Sequence, residues 1–114
     1  VATDNGAWDE RHERMKLLYP VEKLDGEKAV AKYGATSDIL LASWPPYKSE
    51  AIERIGGLWG NVRPIVYIGE DSGGCNATDE FFDHFEENTR VPAFPLMSWP
   101  GLHDRVFVGY YTNA

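Results

Sequence analysis

Cysteine is almost absent from this chain: Cys75 is the single one among 114 residues, so no internal disulfide can form and a reducing, cytoplasmic setting is expected. Long apolar runs are missing too. Crossing a bilayer takes roughly 18 or more consecutive apolar residues, and no window approaches that, so no membrane partner is expected. Basic residues are outnumbered, 11 Lys and Arg against 18 Asp and Glu, for a net charge of −7. A nucleic-acid or anionic surface partner is therefore disfavoured, because both require clustered cations. What the chain does have is aromatic bulk: four Trp, six Tyr and five Phe supply large apolar surfaces, which favours one compact domain over 1–114 and argues against disorder. Val1-Ala2-Thr3-Asp4 reads as the end of a strand with nothing in front of it, and so as a processed product or a piece of a longer domain.

Hydrophobic spacing orders the rest. Trp8, Met15, Leu18 and Tyr19 fall at i, i+7, i+10 and i+11 of an amphipathic helix that Pro20 stops. Val21 to Leu24 is a short strand with Asp25-Gly26 as its turn, and Glu27 to Tyr33 is a second helix that Gly34 ends. Asp38 to Ser43 is a continuous apolar run, the pattern of a strand buried on both faces of a parallel sheet. Ser49 can cap a helix carrying Ile52, Ile55 and Trp59, and Pro64 to Gly69 is another buried strand. Asn76 or Thr78 can cap a fourth helix whose inward residues are Phe81, Phe82 and Phe85. Phe94 to Trp99 and Arg105 to Tyr111 are strand candidates, read as an antiparallel pair. Strands alternating with helices predict an α/β fold: an open, mostly parallel twisted sheet with helices on both faces and a C-terminal antiparallel strand pair.

In such sheets ligands settle beyond the carboxyl ends of the strands, which directs attention to Asp4, Asp25, Ser43 to Tyr47 and Gly69 to Cys75. A carboxylate after an early strand suits the two hydroxyls of a ribose, and each Asp is equally a turn or cap residue. The run Gly69-Glu70-Asp71-Ser72-Gly73-Gly74-Cys75 could expose backbone N–H groups to an anion, or could be a flexible connection; it fits neither a Walker A loop nor a dinucleotide fingerprint. Cys75 with His84 or His103 would be a thiol nucleophile and its base, or a small packing residue. The acidic stretch Glu80 to Glu87 reads as a solvated helix face, because no His pair has metal-ligand spacing.

The strand ends Val1-Ala2-Thr3-Asp4, Val21-Glu22-Lys23-Leu24-Asp25, Asp38 to Ser43 with Trp44-Pro45-Pro46-Tyr47, and Ile65 to Glu70 resemble strands two to five of the class I S-adenosylmethionine-dependent methyltransferase fold. The last two strand candidates resemble that fold's terminal hairpin. The resemblance implies S-adenosylmethionine as cofactor, with Asp4 on its ribose and Asp25 and Gly26 beside its adenine. It also implies that Ser43, Trp44, Pro45, Pro46 and Tyr47 form the catalytic strand end, with a small molecule or protein group as methyl acceptor. Base-methylating members carry Asp, Asn or Ser before Pro-Pro-Tyr; here Trp44 stands there, and an indole only donates. The family's first strand, with its glycine-rich turn, lies mid-sheet and has no counterpart in this sequence, which implies a gap between its two neighbours. The alternative reading is a non-catalytic assembly module, a homo-oligomer that completes its sheet by self-association.

Overall fold

The computed structural model describes residues 1–7, 19–91, 95–97 and 99–112. Along the chain run β1 (Thr3–Asp4), β2 (Glu22–Lys23), α1 (Gly26–Tyr33), a 3-10 turn (Gly34–Thr36), β3 (Leu40–Ser43), α2 (Ala51–Trp59), β4 (Ile65–Gly69), α3 (Asp79–His84), β5 (Phe85–Glu87) and β6 (Arg105–Tyr111). The expected helix over Trp8 to Tyr19 lies, except for Tyr19, outside the described residues.

Local chemistry accounts for the helix starts. Asp25 caps α1, its Oδ1 accepting from Lys28 N at 2.9 Å. Thr78, rather than Asn76, caps α3 by accepting from Phe81 N at 3.1 Å. At α2 the cap position is Glu50, which makes no side-chain cap, and Ser49, expected there, sits one residue earlier with its Oγ accepting from Ala51 N at 3.3 Å. Beyond α2, Arg63 lies over the Trp59 ring and donates to the carbonyls of Gly34 and Ser37, fastening the 3-10 turn to the end of that helix.

The strands form two sheets. β1 and β2 pair in parallel as one; the other has the order β3-β4-β6-β5, with β3 and β4 parallel and β6 antiparallel to both of its neighbours. The molecule is thus α/β as expected, but its larger sheet is mixed, not mostly parallel. The second correction concerns the partner of β6. Among the described residues, Pro95–Met97 and Trp99 belong to no strand, and β5 pairs with β6 instead, Phe85 opposite Tyr111. Pro95 explains the failure of the first candidate, since it brings no N–H to a ladder. The far end of β6 explains the success of the second: Thr112 donates to His84 O through both its N (2.7 Å) and its Oγ1 (2.8 Å), ending α3 one turn early and drawing the next residues alongside.

The core sits on one face of the larger sheet. Ile65 and Tyr67 of β4 and Phe107 and Tyr111 of β6 meet Ile52 and Trp59 of α2, Phe81 of α3, and Ala77. Phe81 is fully buried, stacking against Tyr67, Phe85 and Tyr111 at centroid distances of 5.6, 5.4 and 5.7 Å. Phe85 therefore faces the core as expected, but from a strand. Helices on both faces were expected. Among the described residues, the buried helical side chains meet only this face, and on the opposite face Leu41 stays 60% exposed.

Candidate functional site

Between the two sheets lies a cavity of about 520 Å³. Its walls are β1 on one side and β3 on the other, and its floor is α1 and α2 through residues such as Val30 and Ile55. The two helices approach closely there: a Cβ at Gly26 would fall 2.2 Å from Ile55 Cδ1, so a larger residue would need the Ile55 side chain to move aside. α1 is held under β2 by Glu22, whose carboxylate accepts from Lys32 Nζ at 2.6 Å and from the Tyr33 hydroxyl. The hydrogen bonds of those two donors hold the Glu22 carboxyl below its ordinary range.

Asp4, Gly26, Ser43, Pro45 and Pro46 all line this cavity, so five residues singled out from sequence come together. Asp4 uses Oδ1 to accept from Gly6 N at 2.7 Å, a local turn, and its Oδ2 has no partner among the described residues. Ser43 Oγ likewise has none. Asp25, Trp44 and Tyr47 are not in the lining. The Asp25 carboxylate is engaged by α1 and by Lys28 Nζ at 3.6 Å. Trp44 is half exposed with φ of +44°, a left-handed backbone that is uncommon outside glycine, Asn and Asp. Tyr47, 58% exposed, lies under Lys48 Nζ at 5.2 Å from its ring centre and lines a separate hollow with Glu53 and Asn76.

The segment after β3 is clamped from behind. Asn76 donates from Nδ2 to Pro45 O at 3.2 Å and accepts at Oδ1 from Glu70 N at 3.0 Å, joining the ends of β3 and β4. Ala77 N adds 3.1 Å to the same Pro45 carbonyl, and Lys48 N donates to Ala77 O at 3.0 Å. From the sequence alone, Asn76 is only a possible helix cap. Its position just ahead of Thr78 was the sole signal, and it does not distinguish a cap from a clamp. The clamp also bears on chemistry: the Pro45 carbonyl already accepts two hydrogen bonds, whereas Ser43 Oγ accepts none among the described residues.

Three amides of the loop from Gly69 to Cys75 have acceptors nearby. Glu70 N serves Asn76, Ser72 N serves Asp71 Oδ1 at 2.7 Å, and Gly74 N serves Asp71 O at 2.9 Å. Ser72 Oγ donates to Asp79 at 3.2 Å, and His84 Nδ1 lies 2.9 Å from Thr112 O. No imidazole contacts Cys75 or Ser72 among the described residues. Nor do the described residues contain a group of three or more His, Cys, Asp or Glu able to hold a metal ion, or a helix long and apolar enough to cross a membrane. Below the loop, burial pushes the Tyr67 phenol far up, helped by Asp71, Glu70 and Asp104, while its hydroxyl donates to Glu70 O at 2.9 Å. Comparison with protein-family models, with curated proteins and with solved structures returns no match for this chain.

Proposed function

We propose that this chain is an S-adenosylmethionine-dependent methyltransferase-like domain acting on a small molecule or protein group in the cytoplasm, with no nucleic-acid or membrane partner. The observation that carries the reading is the convergence of Asp4, Gly26, Ser43, Pro45 and Pro46 on one cavity between β1 and β3. The break between the two sheets at the same place accords with the mid-sheet gap that the resemblance implies. An adenosine fits the site: among the described residues Asp4 Oδ2 has no partner and can accept from ribose hydroxyls, and apolar side chains such as Val30 and Leu41 line the wall. The cofactor's contribution when bound is an activated methyl group on a sulfonium.

In this reading Asp4 holds the ribose and Gly26 leaves room for the adenine. Asp25 takes part by capping the helix that presents Gly26. Ser43 accepts from the incoming nucleophile, and Trp44 to Tyr47, stiffened through Asn76 and Ala77, shape the acceptor side. Alignment of the reacting atoms is the main demand of methyl transfer, so no covalent residue is required.

Calorimetric titration of the chain with S-adenosylmethionine and S-adenosylhomocysteine tests this, with Asp4→Ala as the control. Micromolar binding lost in the variant is the expected result, and absence of binding by the folded chain overturns the reading. A second, non-catalytic reading as an assembly module is favoured by β1 and β3 each having, among the described residues, one edge with no neighbouring strand. Light scattering tests its self-associating form, for which a clean monomer removes the support.

A further inference from the structure

The turn that follows β1 brings together the parts of a reaction that the cofactor reading does not use. Asn5 precedes Gly6, and the side-chain amide of an asparagine can be attacked by the backbone nitrogen of the next residue, closing a succinimide ring. Asn5 is exposed, so water reaches its amide. Gly6 has φ of +72° and no Cβ, which leaves its nitrogen unscreened by a side chain.

Two hydrogen bonds set the polarity of this turn. Ala7 N donates to Asn5 Oδ1 at 2.9 Å, closing an Asx turn that folds the side chain back along the chain toward the Gly6 peptide. Gly6 N donates to Asp4 Oδ1 at 2.7 Å, so the hydrogen on the attacking nitrogen already rests against a carboxylate. The first bond fixes the orientation of the Asn5 amide, because a backbone N–H requires the oxygen, and it leaves Nδ2 without a partner among the described residues. A proton acceptor, a donor toward the charge that develops on Oδ1, and an unengaged leaving group are therefore all in place.

We propose that Asn5 is a site of spontaneous covalent modification, an intramolecular deamidation in which Asp4 serves as the base and the Ala7 amide steadies the oxyanion. In the first step the Gly6 N–Asn5 Cγ bond forms as the Gly6 amide proton passes to Asp4 and the carbonyl electron pair moves onto Oδ1. The pair then returns, the Cγ–Nδ2 bond breaks, and Nδ2 takes the proton from Asp4 and leaves as ammonia. Water opens the succinimide at either carbonyl, giving aspartate or isoaspartate at position 5. No oxidant or reductant is consumed.

The other described asparagines show what sets this turn apart. Asn88 makes the same side-chain bond, its Oδ1 accepting from Arg90 N at 3.1 Å, but Thr89 follows it, whose β-branched side chain crowds the nitrogen. No carboxylate accepts from Thr89 N among the described residues. Asn76 has both ends of its amide engaged, and Asn61 precedes the β-branched Val62. Conversion of Asn5 puts a new negative charge beside Asp4, and the isoaspartate form also adds a methylene to the main chain between Asp4 and Gly6. Because Asp4 lines the cavity, an aged chain has an altered wall there. The modification requires no ligand and stands apart from the cofactor reading.

The test incubates the whole chain at neutral pH and follows each asparagine by peptide mapping, with electron-transfer fragmentation to tell isoaspartate from aspartate. In the native chain Asn5 should convert at least about tenfold faster than Asn88, and at least about tenfold faster than it does in the same chain unfolded in urea. Asp4→Ala should slow conversion in the native chain at least about tenfold, whereas Gly6→Ala should slow it in both states. If Asp4→Ala does not fold, the comparison of native and unfolded states of the unaltered chain decides. Equal rates at Asn5 in those two states overturn the proposal, as does a native rate at Asn5 no higher than at Asn88. Undiminished conversion in a folded Asp4→Ala overturns it too.

Discussion

Removing the Asn76 side chain should loosen the cavity wall by an amount the geometry allows to be worked out. Asn76 makes two hydrogen bonds, from Glu70 N and to Pro45 O, and its orientation is fixed because a backbone N–H requires the oxygen and a carbonyl requires the nitrogen. Each bond is worth about 1 kcal/mol net. In Asn76→Ala the Pro45 carbonyl keeps its bond from Ala77 N, so only Glu70 N is stranded, and the expected loss is about 1.5 kcal/mol. For a domain of this size that lowers the melting temperature by about 7 °C. Asn76→Asp is the sharper variant. Its carboxylate still accepts from Glu70 N but sets a second oxygen against Pro45 O with no proton between them, so at neutral pH it should be no more stable than Asn76→Ala. Protonation restores a donor toward Pro45 O, so the folded state should raise the pKa of the introduced carboxyl above its unfolded value of about 3.9. A group raised in this way contributes its stability below the unfolded value and loses it as pH rises through the folded one. The deficit of Asn76→Asp relative to the parent chain should therefore shrink toward pH 4 and be full at pH 7. Urea unfolding followed by tryptophan fluorescence at both pH values reads this directly. An Asn76→Ala loss below about 0.5 kcal/mol, or an Asn76→Asp as stable as the parent at neutral pH, would refute the clamp.

Three further outcomes follow from other parts of the molecule. In an ultraviolet titration of the folded chain, Tyr67 and Tyr111 should ionise above the ordinary phenol range, because burial raises both phenols. Their raised pKa values contribute stability that is full below about pH 10 and lost as pH rises further, so ordinary titration of both in the folded chain would contradict the core described above. Gly109→Ala would put a Cβ 2.3 Å from Glu86 O on the neighbouring strand, where backbone cannot move aside, and should cost about 2 to 3 kcal/mol in a urea midpoint assay. A neutral result there would mean that β5 does not pair with β6 in this register. Asp25→Ala should lower stability by about 1 kcal/mol, and Asp25→Ser should recover most of it. Calorimetry should find cofactor affinity unchanged in Asp25→Ser; a loss as large as that of Asp4→Ala would return Asp25 from helix cap to ligand contact.

Much of the element order was legible because it depends on short-range signals. The apolar runs ending at Ser43 and Gly69 became β3 and β4, the spacing of Ile52 and Trp59 became α2, and Thr78 was one of the two caps named for α3. The strand after α3 was not legible, since Phe85 satisfies a helical stripe and a strand equally well in a sequence, and only the pull of Thr112 on His84 O selects between them. Pro95 could have warned against a strand from Phe94 to Trp99. At the site, the strand-end rule brought attention to Asp4, Gly26, Ser43, Pro45 and Pro46, which do meet. It said nothing of Asn76, whose two partners lie six and 31 residues away.

The sequence by itself determined the elements whose causes are local: caps at Asp25 and Thr78, apolar strands, an acidic surface and an aromatic core. Only the tertiary structure decided how the described strands are shared between two sheets, which direction β6 runs, and that β1 and β3 line one cavity. The reason is physical. Hydrophobic spacing specifies which face of an element is buried, whereas strand order and edge pairing are set by backbone hydrogen bonds between residues far apart in the chain, which side-chain patterns scarcely encode.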